Sequence, residues 1–169
     1  MKKIIVVDVE KCMSCHSCEL HCAVAHSQSK NLEEAMLESP SPVNRVILQQ
    51  FGEMTMPLHC RHCEDAPCMA VCPTKAISRL SVDDPVIVDN DKCIGCHECI
   101  LICPFGVMRK GKNERVMIKC DLCHERLAEG KNPACVEGCP TGAIKYAAPD
   151  EAAALKRKKY MVQIQKGEA

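Results

Sequence analysis

Sixteen of the 169 residues are cysteine, and they divide without remainder into four groups of four. Cys12, Cys15, Cys18 and Cys22 are spaced C-x2-C-x2-C-x3-C, and Cys93, Cys96, Cys99 and Cys103 repeat that spacing. Cys60, Cys63, Cys68 and Cys72 run C-x2-C-x4-C-x3-C, while Cys120, Cys123, Cys135 and Cys139 run C-x2-C-x11-C-x3-C. Thiolates at this density bind soft metal ions. Zinc sites usually set two C-x2-C pairs across a longer spacer and would leave the protein colourless. Iron–sulfur cubes take three cysteines from a tight loop and a fourth from beyond it. The x2-x2-x3 run has the second form. A loop such as Cys93-Ile94-Gly95-Cys96-His97-Glu98-Cys99 wraps three corners of a cube, with backbone N–H groups turned to the sulfides. The fourth cysteine leaves that loop on the first turn of a helix and reaches a neighbouring cube. Proline follows it three times, as Pro73, Pro104 and Pro140, which suits a helix start; Ala23 stands there in the first group.

The rest of the chain must hold four such loops with little to build a core from. Phe51, Phe105, Tyr146 and Tyr160 are its only aromatic residues, and it has no Trp. Aromatic side chains bury the most area per residue, so cysteines are expected to fill the interior instead. Lys plus Arg number 22 and Asp plus Glu 22, which gives no global field for nucleic acid or anionic lipid. No apolar stretch approaches the roughly 18 residues of a membrane span. Met1-Lys2-Lys3-Ile4-Ile5-Val6-Val7-Asp8 lacks a secretory apolar region and a twin-arginine pair. These features predict a cytoplasmic chain without direct membrane insertion, where sixteen thiols stay reduced for metal.

The chain repeats itself. Asp8 precedes Cys12 by the distance that separates Asp89 from Cys93, and Cys72-Pro73-Thr74-Lys75-Ala76-Ile77 matches Cys139-Pro140-Thr141-Gly142-Ala143-Ile144. Groups one and three are therefore equivalent, as are two and four. Residues 3–7, 46–49, 86–88, 116–119 and 143–146 read as strands. Residues 19–26, 31–37, 100–105 and 149–166 read as helical. The expected fold is α+β: tandem bacterial-ferredoxin-like halves, with short β-hairpins and short helices around four [4Fe–4S] clusters. One module takes 1–26 plus 116–146 and the other 58–105. Residues 27–57, with Ser39-Pro40-Ser41-Pro42, form an insert expected to pack over the cubes or contact a partner, and 147–169 form a C-terminal helix or tail.

An oxidised cube with four thiolates carries about −2 and a reduced one about −3, so four cubes add roughly −8 that needs nearby cations. Lys11, Lys92 and Lys119 each precede a group's first cysteine and are candidates; Lys92→Met is expected to lower the potential of its nearest cube. His16, His21, His97 and His124 lie within the cysteine groups and His59 and His62 flank Cys60 and Cys63; these are expected to be exposed or beside the cubes rather than ligands. His26 reads as a surface or interface residue. Nine methionines are expected to fill irregular gaps in the interior. The run Lys156-Arg157-Lys158-Lys159 reads as a solvated face, or as a dock for an acidic patch.

The order of the groups, the x11 gap and Cys120-Asp121-Leu122-Cys123 through Pro133-Ala134-Cys135 resemble the four-cluster electron-transfer subunits that partner molybdopterin oxidoreductases of the dimethyl sulfoxide reductase type. Ala25-His26-Ser27 and residues 58–68 look most similar to the ferredoxin-like subunit of carbon monoxide dehydrogenase and to polyferredoxin subunits of tungsten aldehyde oxidoreductases and of formate-linked hydrogenases. The resemblance spans residues 3–146, and the long membrane-facing extensions of larger members are missing. Spacing leaves the pairing of groups open; the resemblance implies one with four and two with three. The implied sets are Cys12, Cys15, Cys18 and Cys139; Cys22, Cys120, Cys123 and Cys135; Cys60, Cys63, Cys68 and Cys103; and Cys72, Cys93, Cys96 and Cys99. It also implies that the Cys12 set faces a catalytic subunit and that the Cys93 set lies at the far end.

The function expected is electron relay through four [4Fe–4S] clusters, without catalysis. The sequence has no Gly-rich phosphate loop, Gly-x-Ser-x-Gly or His-Glu-x-x-His motif. The expected partner is the catalytic subunit of a molybdenum or tungsten enzyme, a carbon monoxide dehydrogenase or a hydrogenase, with a second redox carrier or subunit beyond it. The alternatives are a free soluble polyferredoxin serving several enzymes and a structural zinc module.

Overall fold

Short β-branched runs pair in twos here and never join a common sheet. The computed structural model describes residues 3–111 and 116–166. Its strands are β1 (Ile4–Val7), β2 (Ile47–Phe51), β3 (Met54–Leu58), β4 (Ile77–Ser78), β5 (Ile87–Val88), β6 (Arg109–Lys110), β7 (Met117–Ile118) and β8 (Ile144–Ala147). Its helices are α1 (Ser17–Ala25), α2 (Leu32–Leu37), α3 (Pro67–Val71), α4 (Glu98–Ile102), α5 (His124–Ala128), α6 (Ala134–Glu137) and α7 (Pro149–Lys166). Antiparallel pairs join β1 to β8, β2 to β3, β4 to β5 and β6 to β7. The β1–β8 pair, with Ile5 opposite Tyr146, ties the start of the chain to residues 144–147. The fold is thus α+β, built from small hairpins and short helices. Each expected strand lies on one of these; β3, which alternates Met54, Met56 and Leu58, and the two-residue β4 and β6 are additional.

The helices sit before the fourth cysteine, not after it, apart from α1. α3 ends at Cys72 and α4 at Cys103, both with extended backbone (ψ 112°). A residue before proline is pushed out of the helical region by the ring, so Pro73 and Pro104 stop helices instead of starting them. Where Ala23 stands in place of proline, α1 runs on through Cys22 to Ala25. The same local chemistry therefore sets helix length in the first three groups, while α6 stops earlier at its Gly138 cap. α2 has a side-chain cap: Asn31 Oδ1 accepts from the Glu33 and Glu34 backbone N–H groups.

Thiols do fill the interior. Cys18, Cys22, Cys60, Cys72, Cys99, Cys120, Cys123 and Cys135 are buried. One core joins Cys18, Cys22, Cys60, Cys120 and Cys135 to Ile5, Val46, Val107, Leu122 and Ile144, and the other joins Cys72 and Cys99 to Ile77, Val86, Met108 and Met117. Cys103 packs against both. The aromatic residues add little, for Phe51 and Phe105 are exposed. Of the described methionines only Met108 and Met117 are buried, whereas Met13, Met36, Met54 and Met161 face solvent.

α1 packs on α6, and α3 on α4. The α1–α6 approach depends on Gly138, whose carbonyl accepts from Ser17 Oγ at 2.7 Å. A Cβ built there would lie 2.3 Å from His21 Cγ and 2.8 Å from His21 Cβ. Because the obstacle is close to backbone, relief requires the helices to part. We expect Gly138→Ala to cost about 1–3 kcal/mol through overpacking, measured anaerobically as a lower denaturant midpoint for loss of the visible absorbance.

Candidate metal centres

A spacing of four places the third and fourth cysteines of each group one helical turn apart. Cys18 and Cys22 lie within α1, Cys68 and Cys72 on α3 and its cap, Cys99 and Cys103 on α4 and its cap, and Cys135 on α6 with Cys139 just beyond. The helix pairs bring the third cysteine of one group beside the fourth of another. Cys12, Cys15, Cys18 and Cys139 line one narrow cavity, and Cys60, Cys63, Cys68 and Cys103 line a second. Buried Cys135 has Cys120, Cys22, Cys123 and Cys18 as its charged-state neighbours, in that order. Cys99 has Cys68, Cys93 and Cys96, and shares its core with Cys72.

The ligand loops use left-handed backbone in a repeated pattern. Ser14 and His16 (φ 58° and 57°) correspond to Gly95 and His97 (φ 69° and 66°), and Leu122, Cys123 and His62 adopt the same region. Such turns point successive N–H groups inward and make concavities for anions. Backbone N–H groups already donate to thiols: His62 to Cys60 at 3.4 Å, Leu122 to Cys120 at 3.4 Å, and Arg45 to Cys22 at 3.2 Å. The equivalence of groups two and four extends to chemistry. Burial opposes ionisation of Cys72 and Cys139, yet the Ile77 and Ile144 N–H groups and the hydroxyls of Thr74 and Thr141 hold both thiols below their ordinary value.

The donor set fits iron–sulfur cubes. Burial pushes the Cys18 and Cys99 thiols up to about 11, Cys120 to about 12, and Cys135 further still. Thiols this buried are not anions unaided; a metal must displace their protons. Among the described residues the buried His97 Nε2, in the loop between Cys96 and Cys99, has no hydrogen-bond partner.

A polar network around the Cys22 and Cys123 thiols was not anticipated. Buried Asp121 Oδ1 accepts from the Cys123 backbone N–H at 3.0 Å and from His26 Nε2 at 3.1 Å, and its other oxygen meets Arg45 and His124 Nδ1. His26 Nδ1 faces the Cys22 carbonyl at 2.7 Å, so both ring nitrogens donate and the ring is an imidazolium. Burial opposes that charge, but Asp121 overrides it and raises His26 to about 12. Burial likewise opposes the Asp121 carboxylate, and His26 and Arg45 hold it far below the usual range. His26 is thus not a surface residue: its side chain is 11 % exposed. His26, Asp121 and Cys123 lie close enough to hold one ion, but His26 and Asp121 already satisfy each other, so we read them as support for Cys123. The arginine comes from the insert, whose Asn44 and Leu48 also bond Glu19 of α1, so residues 44–48 pack over the site. The Asp between Cys120 and Cys123 was the available signal.

The other predicted residues divide. His59 and His62 are buried, and His62 Nδ1 accepts from the Val86 N–H at 3.0 Å. Lys92 turns away from the cubes to Asp89 at 2.8 Å, 64 % exposed, because the acid lies three residues back; its proposed effect on a cube therefore has no geometric basis. Lys11 is exposed, whereas Lys119 is buried. In α7, Lys159 ties the helix to Asp8 and Glu10, and the rest of the basic run is exposed. No helix among the described residues is long and apolar enough to cross a membrane.

Residues 52–148 match the family model of the 4Fe-4S dicluster domain. The protein is 43% identical over 155 residues to an iron-sulfur protein of Rhodospirillum rubrum, a match covering 84% of this sequence and 80% of the relative. It is 40% identical to the putative electron transport protein YsaA of Escherichia coli (strain K12), over 86% of this sequence and 89% of that one. It is 36% identical to the thiosulfate reductase electron transfer subunit PhsB of Salmonella typhi, over 88% and 77%.

Proposed function

Because this protein belongs to the 4Fe-4S dicluster-domain family, we propose that it is the electron-transfer subunit of an oxidoreductase complex, itself without catalysis, passing single electrons to or from a catalytic partner. When bound, each cube accepts and releases one electron. The observation that carries the reading is the sharing of single helical turns between thiol sets. α1 carries both Cys18 and Cys22, α3 and α4 carry Cys68 and Cys99 with Cys72 and Cys103 at their caps, and α6 carries Cys135 with Cys139 just beyond, so that in this reading each turn serves one set and the next.

The ligand sets of this reading are Cys12, Cys15, Cys18 and Cys139; Cys22, Cys120, Cys123 and Cys135; Cys60, Cys63, Cys68 and Cys103; and Cys72, Cys93, Cys96 and Cys99. The two cavities support the first and third, and the neighbours of Cys135 and Cys99 support the others. Proximity of Cys18 to Cys135, Cys60 to Cys120 and Cys68 to Cys99 supports a linear order with the Cys12 and Cys93 sets at the ends. Residues 1–26 with 116–146 form one module, 58–105 the other, 27–57 the insert and 147–169 the tail. The backbone and side chains of the protein hold thiolates, donate N–H groups to them and exclude water. The catalytic partner is a molybdenum or tungsten enzyme, a carbon monoxide dehydrogenase or a hydrogenase; the likeness to an electron transfer subunit of thiosulfate reductase favours a reductase of the first class. Cysteines that must stay reduced for metal favour a cytoplasmic location in this reading.

Anaerobically purified protein is expected to contain about sixteen irons and as many acid-labile sulfides per molecule, and to co-elute with a large catalytic protein. Zinc in their place, or a colourless protein, overturns the reading. Iron-loaded protein that elutes alone from its native source makes it a free carrier instead.

A further inference from the structure

Three lysines hold the same place in the repeats, immediately before a group's first cysteine, but only one is inside the protein. Lys119 is 3 % exposed, and among the described residues no other lysine or arginine is buried. Its Nζ donates to the Cys120 carbonyl at 3.0 Å and to the Val86 carbonyl. Val86 is fully buried and lines the cavity of Cys60, Cys63, Cys68 and Cys103, so the ammonium rests against the wall of that cavity. Among the described residues no carboxylate pairs with it. Carbonyl oxygens solvate a buried ammonium but do not neutralise it, and an uncompensated buried charge is costly. The anions its charge reaches include a thiol of that set: burial pushes the Cys68 thiol up, and Lys119 opposes that shift in part.

We propose that Lys119 is the fixed counter-charge of the cube held by Cys60, Cys63, Cys68 and Cys103, and that it raises the reduction potential of this cube within the relay. The inference rests on the reading of the protein as a four-cube carrier. A cation stabilises the state with one more negative charge, which is the reduced state, and in a dry interior it does so with little screening. Lys92 and Lys11, out in solvent, lack this leverage. Lys119 is a positioning charge rather than a ligand, and the cube beside it becomes the place where an electron rests longest.

The test is an anaerobic potentiometric titration followed by electron paramagnetic resonance on wild type and on Lys119→Met, Lys119→Gln and Lys119→Arg, each with iron and sulfide content measured. In the two neutral variants one midpoint is expected to fall by at least a tenfold change in its reduction equilibrium, about 59 mV for one electron. The same signal must be the one that Cys63→Ala abolishes, and Lys119→Arg should leave it near wild type. Neutral variants with four cubes and unchanged midpoints overturn the proposal. If both neutral variants lose that one cube and the arginine variant keeps it, the charge is needed for assembly, which supports the proposal. If all three lose it, the requirement is for shape and the proposal falls. Wild-type protein without four cubes fails the functional reading itself, a separate result seen before any variant is made.

Discussion

Cys103→Ala and Cys99→Ala are expected to extinguish different electron paramagnetic resonance signals, although the two residues are one helical turn apart on α4 and its cap. Cys103 shares a cavity with Cys60, Cys63 and Cys68, so its loss should reproduce the spectrum of Cys63→Ala. Cys99 lies with Cys93, Cys96 and Cys72, so its loss should reproduce that of Cys72→Ala. Alanine is preferred because serine can still offer an oxygen ligand. Each variant loses up to about four of about sixteen irons, and the remaining signals persist. Identical spectra from Cys99→Ala and Cys103→Ala would show that the group beginning at Cys93 feeds a single cube, which contradicts the pairing.

The second large effect concerns Asp121. Removing this carboxylate strands the His26 imidazolium and the Arg45 guanidinium, three-quarters or more buried, with no counter-charge. Breaking a buried ion pair by deleting one partner costs about 3 kcal/mol or more. Asp121→Ala also deprives the Cys123 N–H of its acceptor. The variant should bleach at a markedly lower denaturant concentration than wild type, and its loss should centre on the signal of the Cys22 set. The network also has a pH signature. The His26 value is raised on folding, so its stabilisation is complete below the ordinary imidazole value of about 6.5 and declines as pH rises toward its folded value. The Asp121 value is lowered, so its contribution holds above the usual carboxylate range and fades only in acid. Wild type should therefore lose stability between neutral and alkaline pH, and Asp121→Ala should show a flatter profile. Equal slopes in the two proteins would remove the imidazolium from the account.

The thiol loops were legible because their chemistry depends on local spacing alone: Cys93-x2-Cys96-x2-Cys99 must curl around something, whatever surrounds it. The strand positions were legible where β-branched residues cluster, as at Ile4–Val7, and illegible at Arg109–Lys110, where pairing is decided by the partner β7. Pro73 and Pro104 suit helix starts, yet they end helices, because the constraint of a proline on the residue before it outweighs its comfort in a first turn, while α6 stops at its Gly138 cap before Pro140 is reached. His26 looked superficial, since nothing local announces an aspartate ninety-five positions away. The three lysines were indistinguishable in sequence; burial separated them, and burial is a property of the whole fold.

The pairing of β1 with β8, and of α1 with α6, has a bearing on how the protein is made. The thiols nearest the start of the sequence wait for those that emerge from the ribosome more than a hundred residues later, while Cys60 to Cys103 are complete long before. On the proposed ligand sets, the central thiols would be in hand first, and the pairing of the two ends would close the protein last.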